Sequence, residues 1–274
     1  MQRPLLPTAE QRSQSRRLYG ADPVGYEEGR PDYPERVFDV LATRCGLRSA
    51  ASVLEIGPGT GRVTRRLTAM GAKVTEVEPD HALAAYLRDL AGTDVEVREE
   101  TFEEVSVPDG GFDLVVAAMS FHWVDQDIGL RKLGRVVRPG GWVALWWTLF
   151  GDPSRPDPFG EATHGLIETA RPTAEDDTRV PFELDAAGWR YALAYGAGLV
   201  DIDVEAIRWT ARLDLPHVRA LYSTMIAVRR RPPRERERLL DELVSRAATD
   251  FGGTVERPFV TAMYTGRRPD TVSN

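Results

Sequence analysis

Short runs of β-branched and aromatic residues recur along the first half of the chain, and stretches with helical spacing separate them. This alternation limits the fold more than any other feature. Residues 52–56, 73–77, 95–97, 112–117 and 142–147 read as strands, while 62–70 and 81–91 carry apolar residues at helical intervals. Strands that far apart cannot close as hairpins. They build βαβ units, and therefore an α/β fold with a mainly parallel sheet. Residues 200–213 and 258–264 add two strands for a total of seven, with helices expected over 216–228 and 234–248.

Upstream, Val37, Phe38, Val40 and Leu41 mark a first helix from Pro34 that ends at Gly46. Before it lies a polar arm. Residues 9–19 have some helical character, but "YGADPVGYEEGRPDYP" places Gly and Pro too often for a regular element and reads as a loop or hinged flap. After Phe150 the alternation stops: "GDPSRPDPFG" is a loop, 161–170 a short amphipathic helix, and "AEDD" an acidic turn. The run "RRRPPRERER" from Arg229 to Arg238 mixes its signs and reads as a solvated turn leading into a helix.

The 274 residues suit one core with a cap, and a net charge of -7 argues against a nucleic-acid partner. Cys45 is the only cysteine, so neither a disulfide framework nor a thiolate metal site is available. No apolar run has the length of a membrane span, and the first residues lack a signal-peptide core; a cytoplasmic protein is expected.

The first strand runs into "VLEIGPGTGRVTRRL", residues 53–67, where Gly57, Gly59 and Gly61 alternate. Three readings fit. The glycines make only a tight turn; or they cradle a pyrophosphate, whose fingerprint is G-x-G-x-x-G; or they let the backbone approach a nucleoside with a cationic tail. Glu55, two residues before Gly57, sits badly with a pyrophosphate and well with an ammonium. Glu78 closes "KVTEVE", where an acid can accept from both ribose hydroxyls of either cofactor type or simply face solvent.

Taken in order, "VLEIGPGTG", "VTEVEPD", "FDLVVAAMSFHWVD" and "VVRPGGWVALWW" resemble the successive motifs of class I S-adenosylmethionine-dependent methyltransferases, over about residues 19–147. More narrowly, "YEEGRPDYP", "FHW" and "LYSTMIAVRRRPPRERERLLDEL" resemble the type 11 small-molecule group, which includes relatives of trans-aconitate methyltransferase. The resemblance implies a Rossmann-like sheet of seven strands, the last antiparallel, with a helical lid. It divides the chain into an arm or flap (1–33), a cofactor-binding core (34–150), a lid or substrate segment (151–199) and a C-terminal part of the core with inserted lid helices (200–274).

It also assigns residues. Glu55, Gly57, Gly59 and Gly61 would surround the methionine and ribose, Glu78 the ribose hydroxyls, and Pro79 the adenine. Thr101 stands where the family has an Asp that accepts from the adenine amino group, and the Phe102 backbone would meet the ring. Ala117 to Ser120, with Met119 among them, would flank the methionine part. Tyr26 and Arg30 match flap positions, and Arg30 suits a carboxylate of the cofactor or of an acidic substrate.

Methyl transfer is an in-line displacement whose rate comes largely from alignment in a dry pocket. His122 in "SFHW" is the candidate catalytic residue: a general base, a wall of the site, or a structural histidine. His81 reads as a surface or adenine-side residue, and His164 in the lid could face substrate. Of Trp146 and Trp147, strand alternation lets only one face a ligand; Phe150 and Phe159 add aromatic surface near the mouth. No metal set is expected. The functions in view are methylation of a small organic molecule such as a carboxylate or natural product, a repurposed fold with the nucleoside as a structural part, and a nonenzymatic sensor; the chain is taken as a monomer or homodimer.

Overall fold

The computed structural model describes residues 23–167 and 180–270. The helix expected over 9–19, the acidic turn and the end of the 161–170 helix lie outside those residues. Seven strands form one sheet in the order β3-β2-β1-β4-β5-β7-β6: β1 Ser52–Ile56, β2 Lys73–Val77, β3 Val95–Arg98, β4 Phe112–Ala118, β5 Val137–Leu149, β6 Val200–Asp214 and β7 Thr254–Arg267. β1 to β5 pair in parallel, and β7 runs antiparallel to both β5 and β6.

The chain builds outward from β1 to β3 on one side, then returns to place β4 and β5 on the other. Connections at the carboxyl ends of β1 and β4 therefore diverge, and a crevice opens between them.

Side-chain alternation sorts the core onto two faces. Leu54, Val115, Leu145 and Trp147 pack on one face with Trp189 and Phe121; Val53, Leu114, Val116, Ala144 and Trp146 pack on the other with Val37 and Leu41. Asp113 ties the base of the sheet together, accepting from the Ser52 amide at 2.9 Å and the Arg138 Nε at 2.6 Å. Cys45 is buried, which pushes its thiol up to about 12.

β7 pairs with β5 only from Val260 to Arg267, whereas its pairing with β6 continues to Thr254. The two strands thus project past β5 as a ribbon, and a third apolar cluster forms on it from Phe259, Leu213 and helices Pro158–Ile167, Leu215–Ser223 and Pro233–Asp250. This is the cap over the carboxyl edge.

Several expectations need correction. Residues 23–29 form a helix, Pro23–Gly29, rather than part of a loop. Pro23 suits a first helical position. Gly29 lets the helix dock, because a Cβ there would lie 2.4 Å from the Ala220 carbonyl oxygen. The helix expected over 216–228 is broken at Thr224 and Met225 into Leu215–Ser223 and Ile226–Arg229. Helices Gln126–Val136 and Ala186–Tyr191 were not anticipated; both start on an aspartate cap, Asp125 and Asp185.

Candidate functional site

A cavity of about 950 Å³ lies at the carboxyl ends of β1, β2, β4 and β5, between the sheet, helix Pro23–Gly29 and the cap. Its floor is the turn after β1. Gly57 and Gly59 both have positive φ, +63° and +61°, but for different surroundings. A Cβ on Gly57 would come 2.6 Å from Ser120 Cβ, whose own hydroxyl donates to the Ile56 carbonyl. A Cβ on Gly59 would meet no protein atom within 4 Å, so that side of the turn is open.

Glu78 closes the turn from the end of β2. Its Oε2 accepts from the Gly59 amide at 3.2 Å and its Oε1 from the Asp80 amide at 3.0 Å. Burial raises its pKa to about 7 despite those two hydrogen bonds.

Glu55 has a different partner. It is paired in register with Glu76 across β1 and β2, and the Thr64 hydroxyl touches both carboxylates, Glu55 at 2.7 Å. One hydroxyl proton cannot serve two carboxylates, so the trio is satisfied when one acid carries its own proton. Burial, reinforced by the neighbouring Glu76, raises Glu55 to about 8; burial raises Glu76 as well.

After β3, Phe102 buries its ring in the core. Thr101 spends its hydroxyl locally, donating to Glu104 Oε2 at 2.8 Å and accepting from the Glu104 amide. The next side chain, Glu103, also lines the cavity; its Oε1 accepts from the Asp125 amide, and its buried Oε2 has no partner among the described residues.

After β4, Ala118, Met119 and Ser120 line the wall. Met119 takes φ +57° and its sulfur accepts from the Thr148 amide. His122, in the 3-10 turn Phe121–Trp123, accepts at Nδ1 from the Trp147 indole N–H at 2.9 Å. An indole nitrogen only donates, so the neutral imidazole in this pair carries its proton on Nε2. Trp147 is itself stacked on Trp189 with centroids 4.5 Å apart.

At the cap end the lining is aromatic: Trp147, Phe150, Phe182 and Trp209, together with Thr148, Ile226 and Arg230. Glu183 also lines it, and burial raises its pKa. From the flap, Tyr26, Arg30 and Tyr33 close the side.

Of the residues singled out in the sequence, the cavity gathers Tyr26, Arg30, Glu55, Gly57, Gly59, Glu78, Pro79, Thr101, Phe102, Met119 and His122. Gly61 and Ala117 are not in its lining. Gly61 caps helix Arg62–Ala69 against Leu87, and Ala117 points into the core, leaving Ala118 at the wall. Trp147 lines the cavity while Trp146 packs behind the sheet. Phe159 is buried in the cap, His164 is exposed on a cap helix, and His81 pairs with Glu99 at the surface. Arg230 comes from the run read as solvated, yet it lines the cavity. Tyr33, Glu103, Trp209 and Glu183 were missed. Tyr33, in "DYP", and Glu103, directly after Thr101 and Phe102, stand in stretches the sequence singled out; Trp209 and Glu183 carry no local signal because the fold alone brings them to the site.

Residues 54–145 match the family profile described as "Methyltransferase domain". The chain is 36% identical to an uncharacterized methyltransferase of Mycobacterium tuberculosis over 129 residues, which are 47% of this chain and 51% of the relative. The chain thus spans about half the length of that relative. Identity is 24% to an uncharacterized methyltransferase of Schizosaccharomyces pombe over 231 residues, 83% of this chain and 87% of the relative. Among solved structures, a putative type II methyltransferase from Anaeromyxobacter dehalogenans superposes with a TM-score of 0.62 at 23% identity, covering 88% of this chain and 99% of its own.

Proposed function

We propose, from the match of residues 54–145 to the profile of a methyltransferase domain, that this chain is a class I methyltransferase and transfers a methyl group from S-adenosylmethionine to a small organic molecule. The observation that carries the proposal is the Gly59–Glu78 pair. An open glycine turn faces a buried carboxylate already held on two backbone amides, beside a cavity whose far end is aromatic.

The residues present fit that cofactor. Two carboxylates suit a cationic nucleoside, and the arginines nearest the turn, Arg62 and Arg65, are already paired with Glu27 and Asp32 rather than offered to a pyrophosphate. Glu78 has two oxygens for two ribose hydroxyls. Gly57 and Gly59 would bring bare backbone to the methionine and ribose, and Glu55 would take the amino group. Pro79 and the Phe102 backbone flank the adenine, with Thr101 contributing through its backbone because its hydroxyl serves Glu104. Ala118 and Met119 flank the methionine tail, and Tyr26 covers it from the flap.

The cofactor supplies an electrophilic methyl on a sulfonium that leaves readily as a neutral thioether. The chain's own work is therefore alignment and exclusion of water. The aromatic wall keeps the acceptor end dry, and Trp147 fixes the His122 ring. In the tautomer set by Trp147, His122 offers an N–H and acts as an orienting donor, not as a base through Nδ1.

The test combines binding with turnover. Glu78→Ala is expected to weaken S-adenosylhomocysteine binding at least tenfold. Incubation of the protein with deuteromethyl-labelled S-adenosylmethionine and a metabolite extract is expected to yield a labelled small molecule and an equal amount of S-adenosylhomocysteine. Cofactor binding without labelled product from any extract fraction would instead indicate a sensor or a repurposed site.

A further inference from the structure

Glu183 is an acid on the cavity wall that the described residues leave without a cation. It stands in the 3-10 turn Phe182–Leu184, between β5 and β6 in the chain, and the cofactor reading above makes no use of it. Two side chains from the core pin the turn: the Trp189 indole N–H donates to the Phe182 carbonyl at 2.8 Å, and the Tyr264 hydroxyl to the Glu183 carbonyl at 2.7 Å. The Phe182 ring centroid lies 5.3 Å from that of His122 and 5.9 Å, edge-on, from that of Trp147. The carboxylate is therefore delivered to one place at the aromatic end. Burial raises its pKa, and only its own backbone amide counters that; no arginine or lysine among the described residues does. Asp113 and Asp157, in contrast, each meet an arginine, Arg138 and Arg257.

A carboxylate only accepts hydrogen bonds, and withdrawing its charge from water without a counter-charge is costly. An alcohol would supply a donor but leave the charge uncancelled, whereas an ammonium supplies donors and cancels it. Aromatic rings at the same end favour that group too, because their faces attract cations. None of the side chains that hold the turn was assigned to the nucleoside, so the geometry sets Glu183 apart from Glu55 on β1 and Glu78 after β2. We propose that Glu183 anchors an ammonium group of the methyl-accepting substrate, which makes that substrate an amine with an apolar body lying against Phe182 and Trp147. The proposal rests on the methyltransferase reading above and deepens it.

Calorimetry tests it. Benzylamine, phenethylamine, tryptamine and decylamine, each beside the alcohol of the same skeleton, are titrated into protein saturated with S-adenosylhomocysteine. At least one amine is expected to bind about tenfold or more tighter than its alcohol. Glu183→Gln keeps the shape but not the charge and is expected to abolish that preference, and Glu183→Asp to keep part of it, while both bind S-adenosylhomocysteine within about twofold of the original chain. Equal binding within every pair, tighter binding of the alcohols, or no binding by any amine overturns the proposal. So does an amine preference that survives in Glu183→Gln, which would place the anchoring acid elsewhere. A tenfold loss of S-adenosylhomocysteine affinity in either variant also overturns it, by assigning Glu183 to the cofactor. Failure of the original chain to bind S-adenosylhomocysteine would sink the methyltransferase reading itself and is read separately.

Discussion

At the scale of single residues, the buried acids dominate. Glu55 and Glu78 are both raised above the usual carboxylate range, to about 8 and about 7. A carboxyl raised in the folded state holds its proton where the unfolded chain has lost it, so its stabilisation is full below the unfolded pKa and is lost as pH rises through the folded one. Stability of the free protein should therefore fall between about pH 4.5 and 8, by at most about 1.4 kcal/mol per pH unit for each group. Chemical denaturation at several pH values reads this slope, and Glu55→Gln should flatten it; an unchanged slope would show that Glu55 is ionised throughout. A cationic ligand favours the carboxylates, so S-adenosylmethionine should bind more tightly at pH 8 than at pH 6. Trp147→Phe makes a second case. It removes the indole donor from His122 Nδ1, a loss of about 1–3 kcal/mol of stability that chemical denaturation would read. Glu78 was legible as a strand-end acid. The Glu55–Glu76 pair was not, because it depends on the register of β1 against β2, and Glu183 was not, because it follows the break in alternation.

At the scale of elements, the turn after β1 and the cap ribbon carry distinct tests. Gly59→Ala meets strain but no protein atom and should cost about 1 kcal/mol of stability; Gly57→Ala adds a clash with Ser120 and should cost more, about 2–3 kcal/mol. Both should lower nucleoside affinity at least tenfold. If Gly59→Ala binds normally, the open side of the turn does not face ligand. In the cap, Arg257 is buried and joins Asp157 at 2.8 Å, the Phe150 carbonyl at 2.8 Å and the Tyr222 hydroxyl. Arg257→Leu leaves Asp157 uncompensated, a loss of about 3–5 kcal/mol. Amide exchange should then rise first in helix Pro158–Ile167, with β1 to β4 still protected; a uniform rise would mean that the cap and sheet open together. Strands with β-branched runs were legible. Helix Pro23–Gly29 was not, because its glycine and proline, read as breakers, serve docking and initiation there.

At the scale of the whole molecule, alternation of strand and helix was enough for the seven strands, while the antiparallel last one came only from the resemblance to a known family. The projection of β6 and β7 beyond β5 was less visible, since strand length in a ribbon is set by its partner and not by local pattern. That projection puts aromatic cap residues over the crevice, and it is why one cavity holds both the glycine turn with its buried acids and an apolar end. Among the described residues no helix is long and apolar enough to cross a membrane. The most direct test is thermal melting of the full chain titrated with S-adenosylhomocysteine and, in parallel, with NAD. At a ligand concentration of 100 times Kd the stabilisation is about 2.7 kcal/mol, so the midpoint should rise by roughly 5–10 °C with S-adenosylhomocysteine and stay put with NAD. A rise with NAD and none with S-adenosylhomocysteine would contradict the assignment of the glycine turn and Glu78 to a sulfonium nucleoside.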